Sequence, residues 1–268
     1  MRDAPEESDL SMSRSISRRD ALRFAAGAAL AGMGAAAAGS GAPSASAAPP
    51  TLIDFAMRQI PPEAIRAAGH AGVINYVSTS RPGSNFGAKP ITLPYAKALT
   101  AAGLVIVSNY QYGKPGGTAP SDFTRGFAGG VADARTGWHH HTAAGGGQSA
   151  PIYFSVDDDI DRHTWNTLAL PWFRGINSVL GVQRTGVYGG INVVQWAIED
   201  GVIGFSRVQG RRWAWQTRSW SRGQIHPAAV LYQRIIDTPS NPGPVVGGIR
   251  VDVNDVLAAD VGQWNLHP

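Results

Sequence analysis

From residue 51 onward the chain repeats one unit, a short apolar β-branched run followed by a longer stretch with helical spacing, and few folds accommodate such a repeat. The candidate strands are Leu52 to Ala56, Val73 to Ser78, Leu104 to Tyr110, Pro151 to Asp157, Gly186 to Tyr188, Arg212 to Thr217, Ala229 to Ile235 and Ile249 to Val253. Between them, Pro61-Pro62-Glu63 opens a helix that runs through Ala68 and stops at Gly69. Thr92 to Ala102 forms a second, with Pro94 in its first turn and Gly103 as its stop. Ser121 is the N-cap candidate of a third helix, marked by Phe123, Phe127 and Val131 at spacing four. A fourth runs from Arg162 to Leu180 with a disturbance at Pro171, and a fifth from Val193 to Glu199. Two of the later connections carry no convincing helix. Eight strand units in the roughly 220 residues left after the first 47 fit a single-domain α/β fold, a closed (β/α)8 TIM-type barrel lacking some outer helices in its C-terminal half. A doubly wound open sheet is the alternative.

Barrels place their chemistry at the C-terminal ends of strands, so composition matters there. The 268 residues contain no cysteine, which excludes disulfides, cysteine-bound metals and a thiol nucleophile. Of the 19 acidic residues, the segment from residue 48 keeps fourteen, and only Glu63 and Glu199 of these are glutamates. The net charge of +4 is spread over scattered arginines, so a nucleic-acid partner is not expected. Asp54 lies in the first strand, Asp157 ends the fourth, and Asp252 lies late in the eighth with Asn254 two residues on, hence on the same face. Each is an acid within an apolar run, where burial is costly without a partner or a function. Three such acids on strands one, four and eight would converge at one mouth.

Residues 1 to 47 are different. Ser17-Arg18-Arg19-Asp20-Ala21-Leu22-Arg23-Phe24 precedes an Ala/Gly run from Ala25 to Ala38, and Ala45-Ser46-Ala47 provides small residues for cleavage. This resembles a twin-arginine signal peptide and linker, leaving 48–268 as the barrel domain. It implies the twin-arginine export machinery as a partner and a secreted or cell-wall-associated destination. Membrane contact would come only through an uncleaved signal.

The ordered set Leu52-Ile53-Asp54-Phe55-Ala56, Pro151-Ile152-Tyr153-Phe154-Ser155-Val156-Asp157, Gly186-Val187-Tyr188-Gly189-Gly190, Trp213-Ala214-Trp215-Gln216, Leu231-Tyr232-Gln233 and Val251-Asp252-Val253-Asn254 resembles the glycoside-hydrolase-like domain of unknown function 1906 of secreted actinobacterial proteins, similar in plan to family 25 lysozymes. The resemblance implies a barrel whose mouth faces cell-envelope carbohydrate, peptidoglycan or a related polysaccharide. Family 25 lysozymes carry Asp-x-Glu on the fourth strand, where this chain has Ser155-x-Asp157. Asp157 is then the expected general acid, Asp54 or Asp252 the base or stabiliser, and Ser155, Tyr188, Trp215, Gln216, Tyr232, Gln233 and Asn254 the sugar-binding residues. Rings would pack against sugar C–H faces and amides would satisfy hydroxyls. The alternative is a catalytically inactive glycan-binding or envelope-remodelling partner that keeps the barrel.

Other motifs lead elsewhere. Asp157-Asp158-Asp159-Ile160-Asp161 lacks the Gly and Glu of a calcium loop, holding Arg162 and Leu168 at those positions, so no metal is expected. No His-x-x-x-His follows Asp157-Asp158, as a metal-dependent deacetylase would require. His139-His140-His141 is expected at a solvated helix end, favoured by the helix dipole. Neither a G-x-S-x-G elbow nor a phosphate or dinucleotide loop is present, and no cofactor is expected. Gly113-Lys114-Pro115-Gly116-Gly117, after the third strand, should form part of the rim of the mouth.

Overall fold

The computed structural model describes residues 48–266; the expected signal segment, 1–47, lies outside them. The strands are β1 (Thr51–Asp54), β2 (Gly72–Tyr76), β3 (Val105–Tyr110), β4 (Ile152–Ser155), β5 (Thr185–Gly189), β6 (Ala214–Thr217), β7 (Leu231–Ile235), the short pair β8 (Val245–Val246) and β9 (Ile249–Arg250), and β10 (Asp252–Val256). The helices are α1 (Pro62–Ala67), α2 (Leu93–Ala101), α3 (Gly126–Ala143), α4 (Arg162–Thr164), α5 (Leu170–Leu180) and α6 (Ile191–Glu199). Eight strands close into a TIM-type barrel in the order β1-β10-β7-β6-β5-β4-β3-β2. Neighbours from β1 to β7 run parallel, joined by helical crossovers up to β6. Among the described residues no helix connects β6 to β7 or β7 to β10, which leaves the outer ring open where the sequence predicts it.

The closing strand corrects one expectation. β10 pairs antiparallel with both β7 and β1. The expected strand at Ile249 to Val253 is divided: Ile249–Arg250 belongs to the β8–β9 hairpin and the barrel strand starts at Asp252. A parallel return needs a crossover to the far end of the barrel, usually helical. The connecting segment 236–251 holds Pro239, Pro242 and Pro244 with Gly243, Gly247 and Gly248, a composition that opposes a helix, and the chain returns from the end it left.

Side-chain alternation divides the core in two. Leu52, Ile74, Val107, Tyr153, Tyr188, Trp215 and Leu231 fill the barrel, while Ile53, Val73, Ile106, Phe154 and Val187 face the helices. Because β10 is reversed, its C-terminus emerges at the closed end, and the following segment seals it. There Tyr153 donates its hydroxyl proton to the Val261 carbonyl at 2.8 Å, and Trp264 bridges to Ile106.

The outer layer shows three further departures. The expected continuous helix from Arg162 to Leu180 is α4, a π-helical segment Trp165–Ala169, and α5. Pro171 has no N–H for the preceding turn, and the ladder shifts register immediately before it. Ser121 caps nothing with its side chain; it precedes a 3-10 turn, Asp122–Arg125, and α3 starts at Gly126. His141 is not at a solvated end. It is fully buried, with Nδ1 2.8 Å from the Ser108 hydroxyl and Nε2 3.1 Å from the Gly147 carbonyl, and it packs on Trp138 and Trp264.

Candidate active site

Asp54 is the last residue of β1 and Asp252 the first of β10, and the antiparallel register sets them directly opposite one another. Asp157 follows the end of β4 by two residues. All three line one open cavity of about 320 Å³ at the C-terminal ends of the parallel strands. Asp252 thus reaches the mouth by opening a reversed strand rather than by ending a parallel one.

One amide organises the acid pair. Gln233, on β7, donates from Nε2 to Asp252 Oδ2 at 2.8 Å and to Asp54 Oδ2 at 3.2 Å, which keeps these two oxygens within about 6 Å of each other. Its Oε1 accepts from the Tyr188 hydroxyl at 2.7 Å and the Thr217 hydroxyl at 3.0 Å, fixing which way the amide faces. Asn254 lies beneath: its Nδ2 donates to Asp54 Oδ2 at 2.8 Å and its Oδ1 accepts from Trp215 Nε1 at 2.7 Å. Asp252 Oδ1 accepts the backbone N–H of Asp237 at 2.7 Å. Across the cavity Gln111 donates from Nε2 to Asp157 Oδ2 at 2.8 Å, and its backbone carbonyl accepts from the Ser78 hydroxyl at 2.6 Å and from Lys89 Nζ at 2.9 Å.

Burial sets the protonation of the pair. Asp54 is 4% exposed, and desolvation raises its pKa to about 6, against the stabilising hydrogen bonds from Asn254 and Gln233. Asp252 is raised to about 8, by burial first and then by the charge of Asp54. Near neutral pH the pair therefore retains one proton between the two carboxyls. Tyr76, at the end of β2, is raised well above 10 by burial and by the charges of all three acids, and stays a hydrogen-bond donor.

The predicted residues divide by strand parity. Ser155, Tyr188, Trp215 and Gln233 line the cavity, and the Tyr188 and Trp215 rings lie 4.3 Å apart. Ser155 spends its hydroxyl proton on Asn109 Oδ1 at 3.0 Å. Asn254 is buried behind Asp54 rather than lining the cavity. Gln216 and Tyr232 require correction: each follows or precedes an inward residue on the same strand and so points outward. Gln216 instead holds the loop after β6, donating to the Gln224 carbonyl and accepting the His226 N–H. Lys114 lines the cavity from its glycine-rich loop. Tyr76, Arg81, Lys89, Asn109 and Gln111 also line the cavity and the strand pattern does not single them out, although Tyr76 and Gln111 stand at strand ends, where a barrel presents its chemistry. Among the described residues no group of three His, Cys, Asp or Glu is arranged to hold a metal ion.

Residues 63–256 match the family described as Rv2525c-like, glycoside hydrolase-like domain, a stretch that includes Asp157 and Asp252 while Asp54 precedes it. Over 257 residues the chain is 43% identical to a Mycobacterium tuberculosis protein named "Putative peptidoglycan hydrolase Rv2525c", covering 93% of this chain and 99% of that one. Crystal structures of the Tat-secreted Mycobacterium tuberculosis protein Rv2525c superpose closely. The complex with L-tartrate gives a TM-score of 0.72 at 43% identity, over 80% of this chain and 98% of the other. The complex with HEPES gives 0.71 at 42% identity and the same coverage. With the family match running over residues 63–256, well over half of the chain, and a relative 43% identical over nearly its whole length, the chain belongs to the Rv2525c-like, glycoside hydrolase-like domain family.

Proposed function

We propose that this protein is an exported glycoside hydrolase that cleaves cell-envelope glycan, peptidoglycan or a related polysaccharide, at the barrel mouth. The observation that carries the reading is the acid pair: Asp54, buried, and Asp252, half-buried, are bridged by one amide and both are raised in pKa by desolvation, Asp252 the further. Carboxyls with separated pKa values supply the acid and the base of glycosidic cleavage. The acid role that the resemblance to family 25 lysozymes implies for Asp157 passes in this reading to Asp252. Asp252 protonates the leaving glycosidic oxygen as the bond to the anomeric carbon breaks. Asp54, beneath, stabilises the positive charge that develops on the sugar ring. Water adds to the anomeric carbon and its proton goes to Asp157, which Gln111 holds facing the cavity. Tyr188 and Trp215 provide the apolar wall for a sugar face.

Envelope glycan as substrate draws on the name of the 43%-identical relative, and export on the Tat secretion of that protein together with the Arg18-Arg19 segment of this chain. One observation favours the inactive glycan-binding reading: the Ser155 hydroxyl, at the position of the first acid of the lysozyme dyad, is committed to Asn109. Release of reducing ends from purified peptidoglycan separates the two. The wild-type chain should exceed both Asp252→Asn and Asp157→Asn by roughly 100-fold or more, the scale of losing a general acid or base. Equal release by all three overturns hydrolysis at this site, while binding without release supports the inactive reading.

A further inference from the structure

Cations share the mouth with the acids. Arg81 and Lys89, from the connection between β2 and α2, and Lys114, from the loop after β3, line the same cavity as Asp54, Asp157 and Asp252. None of the three is in an ion pair among the described residues, whose salt bridges use Arg125, Arg162, Arg207 and Arg234. The acids are taken up by Gln233, Asn254, Asp237 N–H and Gln111 instead. The cations rest on carbonyls and rings. Lys89 Nζ donates to the Gln111 carbonyl and stands 3.7 Å from the centre of the Tyr76 ring. Arg81 donates to the Tyr112 carbonyl at 3.3 Å and lies 5.1 Å over Phe86, a ring that Lys89 also faces at 5.1 Å. Lys114 is exposed. Burial lowers the Lys89 pKa to about 7, and the positive charges of Arg81 and Lys114 add to that lowering. Arg81, Lys89 and Lys114 repel one another as like charges, the charges of Asp122 and Asp54 act on Lys89 the other way, and an incoming anion that sits among the cations relieves the repulsion that remains.

We infer that Arg81, Lys89 and Lys114 form an oxyanion-recognition wall, which selects envelope glycans bearing a carboxylate or phosphate substituent over neutral polysaccharides. This rests on the proposed glycan site and names the chemistry of its substrate. The acids act on the glycosidic bond while the wall holds the charged substituent beside it.

Calorimetric titration of the full chain tests it with three probes: a uronic-acid-containing oligosaccharide, its carboxyl-reduced neutral counterpart, and a glycerol-phosphate-substituted oligosaccharide. At least one acidic probe should bind about tenfold more tightly than the neutral one, with the advantage shrinking as salt is raised. The tighter of the two acidic probes identifies the oxyanion. Lys114→Gln, at an exposed side chain, should reduce the preference without unfolding, and Arg81→Gln/Lys114→Gln should nearly abolish it. Equal binding of acidic and neutral probes overturns the inference and leaves the hydrolase reading standing. A preference that survives in the double variant overturns the assignment to this wall, and binding of no probe overturns both the wall and the glycan site.

Discussion

Replacing Asp252 by Asn should make the protein more stable at neutral pH although it removes a residue of the proposed catalytic pair. The Asp252 carboxyl has a reference pKa of 3.8 and is raised to about 8 in the fold. An acid raised in this way contributes its full stability below the unfolded value and loses it as pH climbs toward the folded one. At pH 7 the unfolded carboxyl has ionised while the folded one still holds its proton. At about 1.36 kcal/mol per pH unit, that difference has a ceiling of roughly 4 kcal/mol. Asn removes the titration but offers one acceptor where Asp252 has two, serving Gln233 Nε2 and the Asp237 N–H. Losing one of these bonds costs about 1–2 kcal/mol. The net gain at pH 7 is about 2–3 kcal/mol, which for a domain of this size is roughly 4–12 °C in Tm, and close to zero at pH 5, where the unfolded carboxyl has only begun to contribute. Urea unfolding of wild type and Asp252→Asn from pH 5 to pH 8 measures the difference between the two curves. Asp54, Asp122 and the lowered histidines His70, His140, His141 and His226 titrate in both proteins and largely cancel. A difference that stays flat across this range, or a variant less stable than wild type at pH 7, would refute the one-proton pair.

Activity on peptidoglycan should decline as pH rises through about 8, where Asp252 loses its proton; a pH–rate profile that stays level past that point argues against Asp252 as the acid. Gln233→Leu leaves Asp54, Asp252 and the Tyr188 and Thr217 hydroxyls without their shared partner, and denaturant titration should register a loss of about 3–5 kcal/mol. Gly130→Ala sets a methyl 1.9 Å from the Trp172 carbonyl oxygen where α3 crosses α5, and thermal melting should show at least about 3 kcal/mol of destabilisation; a neutral effect would mean the helices are not held this close. His141→Phe keeps a ring between Trp138 and Trp264 but loses the bonds to Ser108 and Gly147, for an expected cost of about 1–3 kcal/mol by urea unfolding.

The strand count was legible because alternation of short apolar runs with helical segments survives in sequence whatever the strand direction. The direction of β10 was not, since a two-residue period reads the same both ways. Placing Asp252 late in a parallel strand and placing it first in a reversed one both lead to the same mouth, so strand parity carries the residue there whichever way the strand runs. Parity was legible but easily lost: Trp215 and Gln233 face the cavity, which commits their neighbours Gln216 and Tyr232 to the other side. Lys89 and Arg81 lie in an irregular connection, where no periodicity links a residue to the strand ends it will meet. A helix end is solvated only if nothing packs over it, and the chain that covers His141, around Trp264, comes more than a hundred residues later, beyond the reach of any local pattern.

The direction of β10 also bears on the chemistry. In an antiparallel pair the residues opposite one another are closest neighbours, and two like charges there are destabilising. Asp54 and Asp252 occupy such a pair at the buried edge of the cavity. Two full charges there are costly at neutral pH: the amides that approach them, Gln233 and Asn254, donate hydrogen bonds but carry no charge, and the Lys89 charge that favours ionised Asp54 weighs less than the burial that opposes it. The arrangement is relieved by retaining one proton, which the proposed mechanism assigns to Asp252, the carboxyl raised the further, by its burial first and then by the charge of Asp54. The proton that an acid catalyst needs thus follows from strand direction: a hairpin-like return at the mouth supplies both the opposed carboxyls and, through Asp237 N–H, the bond that orients the one holding the proton.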